Sequence, residues 1–274
     1  MANNNFMKKR IYLLLAGCFL SFPIVANCIK SENYPNTAEC SYEAFKVLLS
    51  CKHNAAVLSI AENVGEDNGN KNTSSRNYKL DETASALNCQ QKTSARYASV
   101  NSDYDVGHLT AIDLFDYDKT IALQTNVMTN MIPQASSFNR SGSWKRTETL
   151  AECYRDEEGY APIQVLSGVI FGNDTTNDLF SVSHDLPSTP DYLWKLIYSE
   201  SMGIYDAWVM PNANTSKAST LHSSRRTLIS LITLLNAQND SAYKPTLDFL
   251  KKIQNKKPVF KELNWNARCH QRRG

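Results

Sequence analysis

The sequence predicts an α+β fold, and three observations carry that expectation. Runs rich in Val, Ile, Trp and Tyr, bounded by Gly, Pro, Asn or Asp, crowd the middle of the chain, as strands do. Runs with helical spacing gather toward its end. Nowhere do the two kinds alternate in the βαβ manner that builds a parallel sheet.

Taken in order, Asn27 to Cys40 is polar and reads as irregular chain. Phe45 to Leu49 and Ala55 to Ile60 are apolar runs separated by Ser50-Cys51-Lys52-His53-Asn54, the pattern of a hairpin. Asn63 to Asn77 is dense in Asn, Gly, Ser, Asp and Glu and reads as a long surface loop. Trp144 to Arg155 has helical periodicity, and Ile163 to Phe171, Tyr192 to Tyr198 and Tyr205 to Met210 read as strands. Ser223 to Asn236 and Thr246 to Ile253 read as helices, placing Arg225 and Arg226 on the first of them. No internal repeat or linker divides the chain, so residues 27–274 are expected to form one domain.

Charge and cysteine content narrow the classes. The 274 residues hold 29 Lys plus Arg against 27 Asp plus Glu, a formal net of +2, with 42% hydrophobic residues. That balance excludes a polybasic nucleic-acid arm and an acidic low-complexity domain, and it leaves ample apolar content for a core. Lys8, Lys9 and Arg10 precede an uncharged, mostly apolar run from Ile11 to Ala26, the pattern of a secretory signal peptide over residues 1–26. At 16 residues the run is short for a membrane span. Leu15-Ala16-Gly17-Cys18 looks like a lipobox, but the apolar run continues past it, which favours cleavage after Ala26.

Without the three cations of residues 1–26, the mature chain has 26 basic and 27 acidic residues, a net of −1. Six cysteines remain, Cys28, Cys40, Cys51, Cys89, Cys153 and Cys269, an even number in an exported chain and therefore a disulfide framework. Sequence leaves the pairing open. A zinc site is the rival, but there is no C-x-x-C, and only Cys269-His270 puts the two residue types side by side.

Residues suited to chemistry concentrate between Asp105 and Glu148. Singly each has an ordinary explanation: a histidine beside glycine, an asparagine cap, a core tryptophan, a solvated glutamate. Together, in the order Asp105-Val106-Gly107-His108, Thr129-Asn130-Met131-Ile132-Pro133-Gln134, Asn139, Trp144 and Glu148, they supply what phosphodiester hydrolysis requires. Histidine titrates near neutrality and suits a general base. Amide and carboxylate oxygens suit a hard divalent cation such as Mg²⁺.

This constellation resembles the DNA/RNA non-specific endonucleases of the ββα-metal (His-Me finger) superfamily. Their signature is D-R-G-H on a strand, then T-N-x-x-P-Q, an Asn, a Trp and a Glu on the next helix. The resemblance covers roughly Tyr42 to Asn212 and implies a central antiparallel sheet with flanking helices and a ββα-metal motif. It implies His108 as general base, Asn139 as direct ligand of Mg²⁺, with Mn²⁺ or another divalent ion as substitutes, and Asn130 as an amide orienting His108 or the phosphate. It implies Glu148 as acceptor for metal-bound waters, with DNA and RNA as substrates and 5′-phosphate products. Asp105 and Gly107 shape the strand that presents His108.

Two departures from the pattern matter. Val106 stands where the family carries Arg, removing a cation from the edge of the site. One extra residue lies between Asn139 and Trp144, leaving Asn139 and Glu148 nine residues apart, half a turn out of phase on a regular helix. The excess must be absorbed at Ser141-Gly142-Ser143 if both residues are to serve one ion. Arg140, Lys145 and Arg146 are candidates for phosphate contacts. Residues 251–274, with eight Lys or Arg against one Glu, are either a strand-binding surface or a tail held down by Cys269. His53, His184, His222 and His270 receive no role. A second reading is a secreted module that binds nucleic acid or a surface without turnover; Val106 speaks for it, and His108 with Asn139 against it.

Overall fold

A computed structural model of the chain describes residues 27–65, 77–256, 259–264 and 267–271. Residues 1–26, with the expected signal peptide and Cys18, and 66–76 of the expected long loop lie outside the described residues.

The fold starts where irregular chain was expected. Asn27–Lys30 (β1) and Thr37–Ser41 (β2) pair antiparallel, and β2 continues the sheet onto Phe45–Ser50 (β3). The apolar pattern misses these strands because they lie at the sheet margin: in β1 only Cys28 is buried. A disulfide between directly opposed partners, Cys28 and Cys40, takes the place of an apolar stripe.

Phe45–Ser50 and Ala55–Val64 (β4) form the predicted hairpin. Asn54 closes its turn at φ +50, a left-handed conformation that asparagine tolerates. Ile163–Ile170 (β7), Tyr192–Ser199 (β8) and Ile204–Pro211 (β9) follow as antiparallel neighbours, and β7 is buried along its whole length. Lys261–Glu262 (β10) adds a short parallel edge beside β9. The order is β1-β2-β3-β4-β7-β8-β9-β10, and every pairing before β10 is antiparallel.

The chain leaves this sheet after β4 and returns at β7. In between it makes Glu82–Ala86 (α1), Tyr104–His108 (β5), Lys119–Gln124 (α2), Met131–Ala135 (β6), Ser136–Arg140 (α3) and Ser143–Asp156 (α4). Strands β5 and β6 form a separate antiparallel pair, with His108 opposite Met131. Asp81 and Asp118 cap the first turns of α1 and α2 through their carboxylates. This excursion covers the sheet face that carries Ser59, which reaches Asn130.

Ser181–His184 (α5) precedes β8, and Leu228–Ala237 (α6), Lys244–Gln254 (α7) and Arg268–Gln271 (α8) follow β9. Phe249 of α7 lines a cavity together with Leu48 and Ile60 on the opposite face of the sheet. The helix expected from Ser223 starts only at Leu228. Its first residues form a 3₁₀ turn to Ser224, Arg225 bridges Trp208 of β9, and the Thr227 hydroxyl caps the nitrogen of Ser230. Arg225 and Arg226 are thus extended chain, with Arg225 bonded to Asp206 at 2.7 Å.

All six cysteines are paired, as Cys28–Cys40, Cys51–Cys89 and Cys153–Cys269. Cys153, Cys269 and Glu157 bring potential ligand atoms within 4.8 Å of one another, but both sulfurs are spent in a disulfide. No helix among the described residues is long and apolar enough to cross a membrane.

The Cys153–Cys269 bridge spans 116 residues and Cys28–Cys40 spans 12. Loop-closure entropy favours the longer by roughly 1 to 2 kcal/mol. Cys153→Ser/Cys269→Ser is therefore expected to lower the thermal midpoint more than Cys28→Ser/Cys40→Ser. Calorimetry of the two variants checks the order, and the reverse order would refute it.

Candidate active site

The site is assembled on β5, β6 and the two helices that follow. On β5, Gly107 lies against Gln134 of β6 so closely that any Cβ would overlap the Gln134 side chain. Only glycine allows this approach, and Gln134 uses it to donate from Nε2 to the carbonyl of His108 at 3.2 Å. Val106 is buried in the core, where packing replaces the family's cation.

His108 ends β5 half-buried, its Nε2 3.0 Å from Oδ1 of Asn126. An amide oxygen there is an acceptor, so the neutral ring carries its proton on Nε2 and its basic lone pair on Nδ1. The Tyr78 ring lies tilted beside it, with centroids 6.2 Å apart.

Asn130 is fully buried. Its Oδ1 accepts from the Thr110 nitrogen at 2.9 Å and from Ser59 Oγ at 3.2 Å, while Nδ2 donates to the carbonyls of Thr110 and Thr125, both at 3.0 Å. Its backbone carbonyl accepts from Leu109. Asn130 thus bears on His108 through the loop that follows it.

Asn139 lies on α3 and donates from Nδ2 to Asp105 at 3.1 Å, which leaves Oδ1 as its ligand atom. Arg140 grips the same carboxylate with Nε at 2.8 Å and Nη2 at 2.6 Å. The extra residue is absorbed where expected. Helix α3 stops at Arg140, Ser141 turns to φ −149 and ψ 0, Gly142 to φ −85 and ψ −159, and α4 starts afresh at Ser143. The Ser216 carbonyl accepts from the Ser143 nitrogen at 2.9 Å, and a side chain on Gly142 would strike the same carbonyl.

Glu148 is buried on α4, one turn after the fully buried Trp144. Lys145 Nζ lies 3.3 Å from its carboxylate and 3.1 Å from that of Asp113. Burial pushes the Glu148 carboxyl above its ordinary range, and Lys195 and Lys145 oppose that push. Burial also raises Glu152, to about 7, with Asp113 adding to the effect. Burial works against the charge of Lys145, yet Glu148 and Asp113 carry its pKa above the ordinary lysine value.

The three candidate phosphate contacts have different surroundings. Arg140 is 66% exposed though paired, Lys145 lies between two carboxylates, and Arg146 donates to the carbonyls of Cys269 and His270. The basic tail is held down through Cys269, and two of its cations, Lys256 and Arg268, pair with Glu200 and Glu157. His270, given no role from sequence, is buried against Asp206 at 2.5 Å and Tyr154 at 2.7 Å.

Sequence reasoning missed Asn126, Asp113 and Lys195. Nothing local marks the first two. A lone lysine inside the apolar Tyr192 to Tyr198 run was a usable signal, because lysine is almost never fully buried without a partner.

With this geometry in place, the comparisons with known proteins are decisive at the level of family. The sequence profile of the DNA/RNA non-specific endonucleases matches residues 26–248. The chain belongs to that family. The match is wider on both sides than the Tyr42 to Asn212 stretch expected from the motifs. Among solved structures, this endonuclease is similar to a chain of the crystal structure of the EndoG/EndoGI complex. The TM-score is 0.52 at 17% identity, over 70% of this chain and 81% of that one, a likeness that concerns the fold alone. None of the curated proteins matches significantly. Nuclease chemistry of this family implies a divalent cation, and the amide and carboxylate oxygens of Asn139 and Glu148 are suitable donors for one.

The Asn126 contact makes a prediction. In ¹⁵N spectra at alkaline pH, neutral His108 is expected as the Nε2–H tautomer, and Asn126→Ala should yield a mixture. An unchanged tautomer in the variant would show that the contact does not set it.

Proposed function

We propose that this chain is an exported, Mg²⁺-dependent endonuclease that hydrolyses DNA and RNA with little sequence preference, His108 acting as its general base. What supports the reading most is one bond: Asp105, on the strand that ends in His108, holds the amide of Asn139 at 3.1 Å and leaves its oxygen for a cation. The strand bearing the base and the helix bearing the ligand are thereby tied together.

In the proposed reaction, His108 takes a proton from water on Nδ1 while Asn126 holds the ring, and the water oxygen attacks phosphorus. Asn130 and Gln134 keep the backbone around His108 in place. Asn139 would ligate the cation, and Glu148 would accept hydrogen bonds from its hydration shell. When bound, the cation supplies positive charge against the pentacoordinate phosphate and the departing 3′ oxygen. Arg140 is the best placed of the three basic residues to meet a phosphate, being the most exposed, with Lys145 and Arg146 behind it.

A mature chain of net charge −1 has no overall field to attract a polyanion, so binding as well as chemistry is expected to depend on the metal. Three disulfides fit an extracellular or periplasmic protein, in line with a signal peptide over residues 1–26. The intact mass of the exported form separates cleavage after Ala26 from lipidation at Cys18.

Purified mature protein is expected to degrade plasmid DNA with Mg²⁺, to stop on addition of EDTA, and to lose about 10²- to 10⁴-fold in rate in His108→Ala. Equal digestion by wild type and His108→Ala would sink the assignment. Salt-sensitive DNA binding with no cleavage at any divalent-metal concentration would instead establish the non-catalytic module. Parallel digests of single-stranded DNA, duplex DNA and RNA read the sugar preference.

A further inference from the structure

The chain that follows β9 turns back beside the helix break and, with the ends of β7 and β9, the start of β8 and α6, encloses a hollow of about 770 Å³. Sites that take small organic groups occupy roughly 300–1,000 Å³. Ser143, the first residue of α4, forms one wall, and its buried Oγ has no hydrogen-bond partner among the described residues. Tyr192, the first residue of β8, forms another. It is 42% exposed, which leaves ring surface open to a second planar group.

Two cations stand at the hollow and on its approach. Arg226 lines it and, among the described residues, gives the chain its Nη1 hydrogens, to the carbonyls of Ser223 at 3.2 Å and Arg225 at 2.7 Å, out of the five N–H donors of a guanidinium. Lys217 is exposed and pairs through its backbone with Gly142, at the break between Asn139 and α4. The acids of the hollow have a different part. Asp191 accepts from the nitrogens of Asn173 and Asp174 at 2.9 and 3.0 Å and from Asn177 Nδ2 at 2.9 Å, so it builds the wall. The exposed carboxylate of Asp174 repels a phosphate but accepts from the hydroxyl and amino groups of a nucleoside. Ser143 follows Asn139 by four residues, at most about 14 Å of chain, and a duplex strand advances about 3.4 Å of axis per phosphate. A strand held at Asn139 thus reaches the hollow within a few nucleotides.

We propose that this hollow is a second nucleotide subsite: it takes a nucleoside of the substrate strand a few positions from the scissile phosphate, with Tyr192 stacking on the base and Lys217 and Arg226 holding the flanking phosphates. Every base has a π face, so stacking adds affinity without sequence preference. The two cations also put positive charge on the path of the strand in a mature chain whose net charge is −1. The subsite rests on the polynucleotide substrate of the reading given above; it does not rest on turnover.

The test measures binding in a His108→Ala parent with Mg²⁺, so that the probe stays intact. Fluorescence polarisation of labelled oligothymidylates of two and eight nucleotides gives the affinity gained by added length. Tyr192→Ala is expected to cut the octanucleotide affinity about tenfold, and Tyr192→Phe to restore it. Lys217→Gln and Arg226→Gln should each lower the slope of log affinity against log salt by about 0.7. In Tyr192→Ala, Lys217→Gln and Arg226→Gln the gain from two to eight nucleotides should shrink. Octanucleotide binding equal to the parent's in those three variants would overturn the proposal, as would a loss equal for both lengths or no binding by the parent at either length. If wild type cleaves no plasmid but octanucleotide binding responds to the variants, the nuclease reading fails and the subsite stands. If wild type cleaves and the variants bind like the parent, the subsite alone fails. Lys217→Gln alters only an exposed side chain, so the outcome does not depend on Tyr192→Ala folding.

Discussion

Asn130 has two donor hydrogens and two acceptor lone pairs on its side chain, and all four are used inside the fold. They join the loop after His108, the end of α2 and strand β4 of the large sheet. Each such bond is worth only about 1 kcal/mol net, but a buried amide left unmatched would cost more, so the four form together or not at all. The excursion between β4 and β7 is thereby set at one height over the sheet. His108 inherits its position from this knot, and Asn126, four residues before Asn130, comes within reach of the imidazole.

The same site depends on a helix that is deliberately discontinuous. On one unbroken helix Asn139 and Glu148 would face opposite sides. The break at Ser141 and Gly142 is possible because Gly142 has no Cβ to meet the Ser216 carbonyl, which in turn anchors the first nitrogen of α4. A loop from beyond β9 thus sets the phase of α4. The Cys153–Cys269 bridge and the bonds from Arg146 to Cys269 and His270 fasten the other side of that helix to the C-terminal segment.

Charge is managed locally. A chain with nearly balanced charge concentrates Lys145, Glu148 and Glu152 on α4, with Asp113 against Lys145 and Lys195 against Trp144, and fixes Arg140 on Asp105. Pairs as exposed as Arg140–Asp105 and Lys145–Asp113 contribute little to stability, since solvent screens their attraction.

The sequence by itself determined the family, the residues His108, Asn139 and Glu148 as candidates, the need to absorb one residue near Gly142, and every strand whose buried face is written in its own side chains, from the β3–β4 hairpin to β7, β8 and β9. These are local signals, carried by spacing and periodicity. Tertiary structure alone decided the rest. Strands β1 and β2 have too little apolar pattern to be read, and they exist because β3 and a disulfide partner lie alongside. Arg225 leaves the helical pattern because Trp208 and Asp206 offer it better bonds than the next turn would. Six cysteines announced bridges but not their pairing, and Lys195 came to lie under Trp144 only through the β7–β8 register and the docking of α4. Burial, charge compensation and cross-strand register are properties of neighbours distant in the chain, and no window of sequence contains them.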